Sequence, residues 1–182
     1  DITESQIPEI PEENILCEPM GKNTTACIGY ACQIVKKKYG DAIMMVVPSD
    51  HFIKDIGAFA ADMEKCCDIA ESLNTIVTLG IKPTRPETGF GYIKVNKNAP
   101  VEGKELAWKM LKFVEKPEYK VAKRYLASGR YLWNAGMFVF PVSYMLKCII
   151  RFHPHNAACL TTIGKCIGKR NEDLITYQMF DK

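Results

Sequence analysis

Short unbroken apolar runs alternate along this chain with longer stretches in which apolar residues recur every three or four positions. The first pattern marks buried strands and the second marks helices laid against them. Ile15-Leu16-Cys17 reads as a short opening strand. After the turn Glu18-Pro19-Met20-Gly21-Lys22, Asn23 or Thr24 can cap a helix with Ala26, Cys27, Ala31, Ile34 and Val35 on its apolar face, and Gly40 stops it. Ala42 to Val47 is the strongest strand and ends at Pro48-Ser49-Asp50-His51. A helix over about Ile56 to Ser72 and a strand over Thr75 to Leu79 follow, and Gly80 to Phe90 is a loop. Tyr92 to Val95 and Ala107 to Val114 read as a hairpin across the polar turn Asn96 to Gly103. Glu118 to Ala127 is a helix closed by Gly129, Tyr131 to Phe140 a strand, and Pro141 to about Phe152 a helix. From Pro154 the period stays helical but weakens. No repeat or linker interrupts the series, so it predicts one α/β domain over residues 1–182 with a mixed, mostly parallel sheet flanked by helices.

Composition narrows the class. An apolar share of 47% and a charged share of 25% are those of an ordinary globular protein. The net charge of +3 is too small and too evenly spread for a nucleic-acid binder on charge alone. No run reaches the roughly 18 apolar residues of a membrane span, and no signal peptide opens the chain. The eight cysteines form no CxxC pair and no disulfide framework, which predicts reduced thiols and a cytoplasmic protein without a zinc site. Residue 1 is Asp rather than Met, and a polar stretch precedes the first strand.

Ligands of open α/β sheets collect beyond strand ends, so polar residues that directly follow apolar runs are the candidates for chemistry. Asp50, at the end of AIMMVVPSD, is placed to hold a hard divalent cation or to cap the next helix. Its neighbour His51 reads as structural. The segment from Glu18 to Thr24 is a Pro/Gly turn into a helix N-terminus, which exposes N–H groups to a base or a phosphate. Pro86 to Tyr92 sets glycines 89 and 91 around an aromatic ahead of a strand, so the main chain can face a ligand, although a bulge explains it nearly as well. It lacks the strand-then-helix setting of a dinucleotide fingerprint. Glu115-Lys116-Pro117 puts an acceptor for hydroxyls beside a point charge for phosphate, and Asn134 can both donate and accept. Trp133 suits the core better than a sugar face.

Taken in order, EPMGKNTT, VVPSDHFI, PTRPETGFGYI, FVEKP and YLWNAGMFVF resemble the successive motifs of the mannose-1-phosphate guanylyltransferases, in the sugar-nucleotidyltransferase superfamily. The resemblance runs from about Ile15 to Phe140. It implies a Rossmann-like nucleotidyltransferase domain that joins GTP to mannose 1-phosphate, releasing pyrophosphate with the help of Mg2+. Carried over by position, Asp50 is the metal-binding aspartate, and Glu18, Gly21, Asn23 and Thr24 form the nucleotide-contacting loop. Thr88, Gly89 and Gly91 face the sugar, Glu115 binds its hydroxyls, Lys116 contacts the phosphate, and Asn134 binds the sugar. Asp50 and Lys116 would carry the catalytic charge. No Ser-His pair is needed, because the sugar-phosphate oxygen is itself the nucleophile.

The sequence also departs from that pattern. Lys22 stands where the family has Arg, and Thr25-Ala26-Cys27 replaces an Ala-Pro pattern. The resemblance implies that the family's first strand–helix unit, with its Gly-rich loop, would lie before Asp1. A second metal-binding aspartate would lie after Lys182, since neither Asp173 nor Asp181 has matching context. The expectation is therefore a partial domain, with Asp1 a boundary inside a longer protein and these 182 residues inactive alone. Another nucleotide:hexose-1-phosphate transferase and a non-catalytic sugar-nucleotide-binding module stay open as alternatives, and a homo-oligomer is compatible with either.

Overall fold

A computed structural model describes residues 2–104 and 106–182, and Asp1, the expected boundary, lies outside the described residues. In chain order the elements are α1 (Ile2–Gln6), a single 3-10 turn (Glu12–Asn14), α2 (Thr24–Tyr39), β1 (Ile43–Val46), α3 (Ile56–Leu73), β2 (Val77–Ile81), β3 (Tyr92–Pro100), β4 (Trp108–Val114), α4 (Tyr119–Ser128), β5 (Tyr131–Pro141), α5 (Val142–Phe152), α6 (Pro154–Cys166) and α7 (Glu172–Asp181). They divide into two compact units, Asp1–Met44 with Pro141–Lys182, and Met45–Phe140.

The first unit is helical. Its core is Ile149, Ala157, Leu160, Ile163 and Phe180, with Met20, Ala26, Tyr30, Met145 and Met179 packed against it. The weak tail period is the signature of α6 and α7, whose apolar residues are shared out among several neighbours. On α2 the buried positions are Ile28, Gly29, Cys32 and Ile34, whereas Cys27, expected on the apolar face, is exposed. Burial pushes the Cys32 thiol up to about 12, and its Sγ sits 3.7 Å from Met44 Sδ. Asp41 holds the start of α5, accepting from Ser143 N at 2.9 Å and from Ser143 Oγ at 2.6 Å. Those two donors keep the Asp41 carboxyl below the ordinary aspartate range.

The second unit carries β2 to β4, the second half of β1 and all of β5 but Pro141, and the strand order of the sheet is β1-β5-β3-β4 with β2 also paired to β5. β2–β5, β3–β5 and β3–β4 are all antiparallel, which corrects the expectation of a mostly parallel sheet. An apolar run reports burial and not the direction of its neighbours: β5, whose side chains alternate between half-buried and buried over most of its length, is hydrogen-bonded on both edges and runs antiparallel to β2 and β3. It is β5, not the strand before Asp50, that occupies the centre. Ile15-Leu16-Cys17 forms no strand either: Leu16 and Cys17 are exposed, and three apolar residues without a partner strand do not make a ladder. β2 begins two residues later than expected, and β3 runs on to Pro100.

Below one face of the sheet, α4 places Ala122 against Tyr92 and Trp133. Tyr125 stacks on Tyr131 with ring centroids 3.8 Å apart. The other long helix of this unit, α3, starts at Asp55, whose carboxylate accepts from Ala58 N at 2.9 Å. Among the described residues no helix is long and apolar enough to cross a membrane.

Candidate functional site

Strand β5 does not run straight. Thr78 on β2 faces Phe138, but Gly80, two residues on, faces Asn134, four residues back along β5. The extra residues form a bulge around Gly136, whose φ of 69° is the left-handed conformation that favours glycine. Bulges re-aim side chains, and here the residue at the foot of the bulge is Asn134. Its Oδ1 lies 3.1 Å from Thr78 Oγ1 and accepts from Gly136 N at 3.3 Å. With the oxygen committed, the amide NH2 remains to donate to a ligand. Pro48, in the turn that leads to Asp50, lies beside the same bulge, its Cγ 3.5 Å from where a Cβ on Gly136 would stand.

Across from Asn134 is Gly91, whose carbonyl accepts the Asn134 backbone N–H at 2.8 Å. A side chain at this glycine would collide with its neighbours: a Cβ would stand 2.8 Å from Phe113 Cζ and 3.0 Å from Glu115 Oε2. The missing side chain is what lets the β4 end close over β3. Glu115 Oε1 in turn lies 3.8 Å from Lys116 Nζ. Lys116 has a φ of 40°, a conformation uncommon for any residue but glycine, directly before Pro117. Strain of this kind concentrates at functional sites. The side chains of Glu115 and Lys116 are both more than half exposed, so either can meet a solute.

The loop ahead of β3 is organised by a residue to which the sequence motif had assigned no role. Glu87 Oε1 accepts from Thr88 N at 3.0 Å and Gly89 N at 3.1 Å. These donors, with Arg85, hold its carboxyl below the ordinary glutamate range. Tyr92 Oη donates to the Glu87 carbonyl at 2.8 Å. Trp133 is buried, as its core assignment requires, with the Arg85 guanidinium carbon 5.5 Å from the ring centroid and the Phe90 ring nearly perpendicular to it at a centroid distance of 5.3 Å. A Glu two residues after an Arg and just before Thr-Gly is the sequence signal for this arrangement.

Within the second unit the structure thus gathers Gly91, Glu115, Lys116 and Asn134, and joins Thr88 and Gly89 to them through Glu87 and Tyr92. Asp50 is not bonded into this group. Its side chain is 87% exposed, and its carboxylate comes only within 4.0 Å of His51 Nε2. Among the described residues there is no cluster of three or more His, Cys, Asp or Glu side chains suited to a metal. A single open carboxylate oxygen donor still fits Mg2+, which commonly binds through one or two carboxylates, water and substrate phosphates.

The other four candidates lie in the first unit. Asn23 is the N-cap residue of α2 and Thr24 its first residue, and no side chain caps the helix start. The exposed N–H groups there favour an anion. Gly21 has open space where a side chain would go. Glu18 Oε1 is buried and has no strong donor in hydrogen-bond geometry; the Cys27 thiol, which interacts with this carboxylate, is a weak donor, and a donor on a ligand would serve the oxygen better. Lys22 and Asn23 border a cavity of about 230 Å³ together with Ala26, His155 and Asn156.

The nucleotidyl transferase family profile matches residues 2–164. The chain is 44% identical over 159 residues to the xanthan biosynthesis protein XanB of Xanthomonas campestris, covering 87% of this chain and 32% of that protein. It is 39% identical over 144 residues to the mannose-1-phosphate guanylyltransferase of Escherichia coli K12, covering 78% and 30%. The chain therefore spans about a third of the length of these relatives. The crystal structure of a protein described as mannose-1-phosphate geranyltransferase from Thermus thermophilus superposes with a TM-score of 0.79 at 29% identity, over 96% of this chain and 49% of that one. An α/β fold shared with that structure, and a family match that crosses both compact units, lead to one conclusion: this chain belongs to the nucleotidyl transferase family.

Proposed function

We propose that the protein carrying this chain transfers GMP from GTP to mannose 1-phosphate, giving GDP-mannose and pyrophosphate. The observation that carries the reading is the convergence of Gly91, Glu115 and Asn134, held by the Asn134–Gly91 backbone bond and by the close approach of Glu115 to Gly91. A carboxylate acceptor and an amide donor beside a side-chain-free backbone position, Gly91, suit the hydroxyls of a hexose. Lys116 supplies a point charge for the phosphate beside them. Names of relatives such as the Escherichia coli enzyme support the choice of mannose and guanine.

In this reading Thr88 and Gly89 complete the sugar-facing wall. Glu18, Gly21, Asn23 and Thr24 contact the nucleotide, with the α2 N-terminus facing its negative charge. Catalysis needs no general base, because the phosphate oxygen of the sugar is already anionic. Lys116 lowers the barrier by meeting the charge on the phosphates, and the hydroxyl contacts align the nucleophile. Asp50 would hold the divalent cation, Mg2+ in this proposal, whose charge neutralises the triphosphate. Both compact units belong to one nucleotidyltransferase domain, a reading supported by the family match from residue 2 to 164. Eight unpaired cysteines suit a cytoplasmic protein.

The test is pyrophosphate release by the complete gene product containing this sequence, across a panel of nucleoside triphosphates and hexose 1-phosphates. GTP with mannose 1-phosphate should give the highest kcat/KM. Asp50→Asn should lower metal-dependent turnover by about a hundredfold or more while mannose 1-phosphate still binds. Preference for another base or hexose moves the assignment within the family, and binding without turnover makes the protein a sugar-nucleotide-binding module.

A further inference from the structure

We propose that Glu87 is the positioning residue of the sugar-facing loop, locking Thr88 and Gly89 in place and tying them to the strand that carries Asn134. The inference rests on the functional reading above, since it concerns the same sugar end of the site.

The two carboxylate oxygens of Glu87 do different jobs. Oε1 takes the backbone N–H groups of Thr88 and Gly89 at 3.0 and 3.1 Å. Oε2 takes Arg85, with Nε and Nη2 each 3.1 Å away. The guanidinium so held lies 5.5 Å from the centre of the Trp133 ring, and Phe90 meets the same ring edge-on. Both ends of the loop from Arg85 to Phe90 therefore contact the indole. Trp133 directly precedes Asn134 and pairs in register with Tyr92, whose hydroxyl donates to the Glu87 carbonyl. One carboxylate thus couples the loop backbone to the residue adjoining the hexose-binding amide.

The division between the oxygens makes separate tests available. Glu87→Ala removes both functions. Glu87→Gln can keep an oxygen for the two N–H groups but must turn its NH2 toward Arg85, where donor faces donor. Arg85→Gln removes only the anchor on Trp133. A residue that merely stabilised the fold would move the constants of both substrates together, or neither.

The experiment compares hydrogen exchange at the Thr88 and Gly89 amides, and KM for mannose 1-phosphate and for GTP, in the complete gene product and its three variants. In Glu87→Ala the two amides should exchange about tenfold faster and KM for mannose 1-phosphate should rise about tenfold, with KM for GTP within about twofold, as expected for a lost charged hydrogen-bond pair. Glu87→Gln should protect the amides nearly as well as Glu while raising the sugar KM by about threefold, and Arg85→Gln should match it. Unchanged amide exchange in Glu87→Ala, or a sugar KM that stays put while the amides loosen, overturns the proposal. If the unsubstituted protein responds to no hexose 1-phosphate, the functional reading fails, and this proposal with it.

Discussion

The backbone N–H of Asn134 donates to the carbonyl of Gly91 at 2.8 Å. This single bond ties β5 to the residue directly before β3, where each segment carries a candidate ligand-facing residue, next to a bulge in β5 and a position without a side chain at Gly91.

Thr78 sets the amide of Asn134. Its hydroxyl sits between Asn134 Oδ1 at 3.1 Å and the Met137 carbonyl at 3.0 Å. Thr78→Val leaves Oδ1 with the Gly136 N–H alone and frees the amide to rotate. KM for mannose 1-phosphate should rise about five- to tenfold, the scale of one lost hydrogen bond, and steady-state kinetics with GTP saturating will show it. Asn134→Ala, which deletes the group itself, should cost more than Thr78→Val.

Gly91→Ala brings a methyl group to within 2.8 Å of Phe113 and 3.0 Å of Glu115 Oε2. Phe113 is 44% exposed, so its ring can swing away cheaply, and the loss of stability should stay at about 1 kcal/mol. Glu115 has to move with it. Activity should therefore fall much further than stability, by tenfold or more in about the range one displaced hydroxyl contact commands. A melting curve run beside the pyrophosphate assay separates the two.

In the helical unit, Gly29 lets α2 approach α6. A Cβ there would overlap Leu160 Cδ1 and stand 3.2 Å from Ile149 Cδ1, and both neighbours are core residues. Overpacking costs about 1–3 kcal/mol, against about 1 kcal/mol regained from the better helix propensity of alanine. Clash should win, and Gly29→Ala should lower the melting temperature by a few degrees, about 2–6 °C for a chain of this size.

Acid should loosen α5 through Asp41. Its carboxyl is held low first by the Ser143 hydroxyl and then by the Ser143 N–H. A depressed folded-state pKa contributes stability that is present above the unfolded value, about 3.9, and is lost as pH falls through the folded value. Asp41→Asn should melt lower than the parent at pH 7, and the gap should close as pH falls through the unfolded value and on below it. Thermal melts at stepped pH will show whether the two curves converge.

Much of this was readable from one dimension. Continuous apolar runs and the 3.6 period placed the strands β1 and β5 and the helices α2 to α5 within a few residues, because those patterns follow from burial and backbone geometry at each position. The motif words ordered along the chain pointed to the family, and Glu115, Lys116 and Asn134 stood out as polar residues that break apolar runs; the fold brings these three together as a candidate site and leaves Asp50 outside the group. Ile15-Leu16-Cys17 misled because a strand exists only where a partner strand meets it. Sheet direction misled for the same reason: an apolar run does not say which way its neighbours point.

What the fold alone decided are relationships between residues far apart in sequence. The Asn134–Gly91 bond, the Thr78 clamp, the contact of Gly91 with Glu115, and the two-oxygen division at Glu87 with Arg85 on Trp133 all need chain segments to meet. A sequence specifies which side chains can donate, accept or carry charge. Which of them are left free for a ligand is settled only when every other hydrogen bond in the neighbourhood has been made.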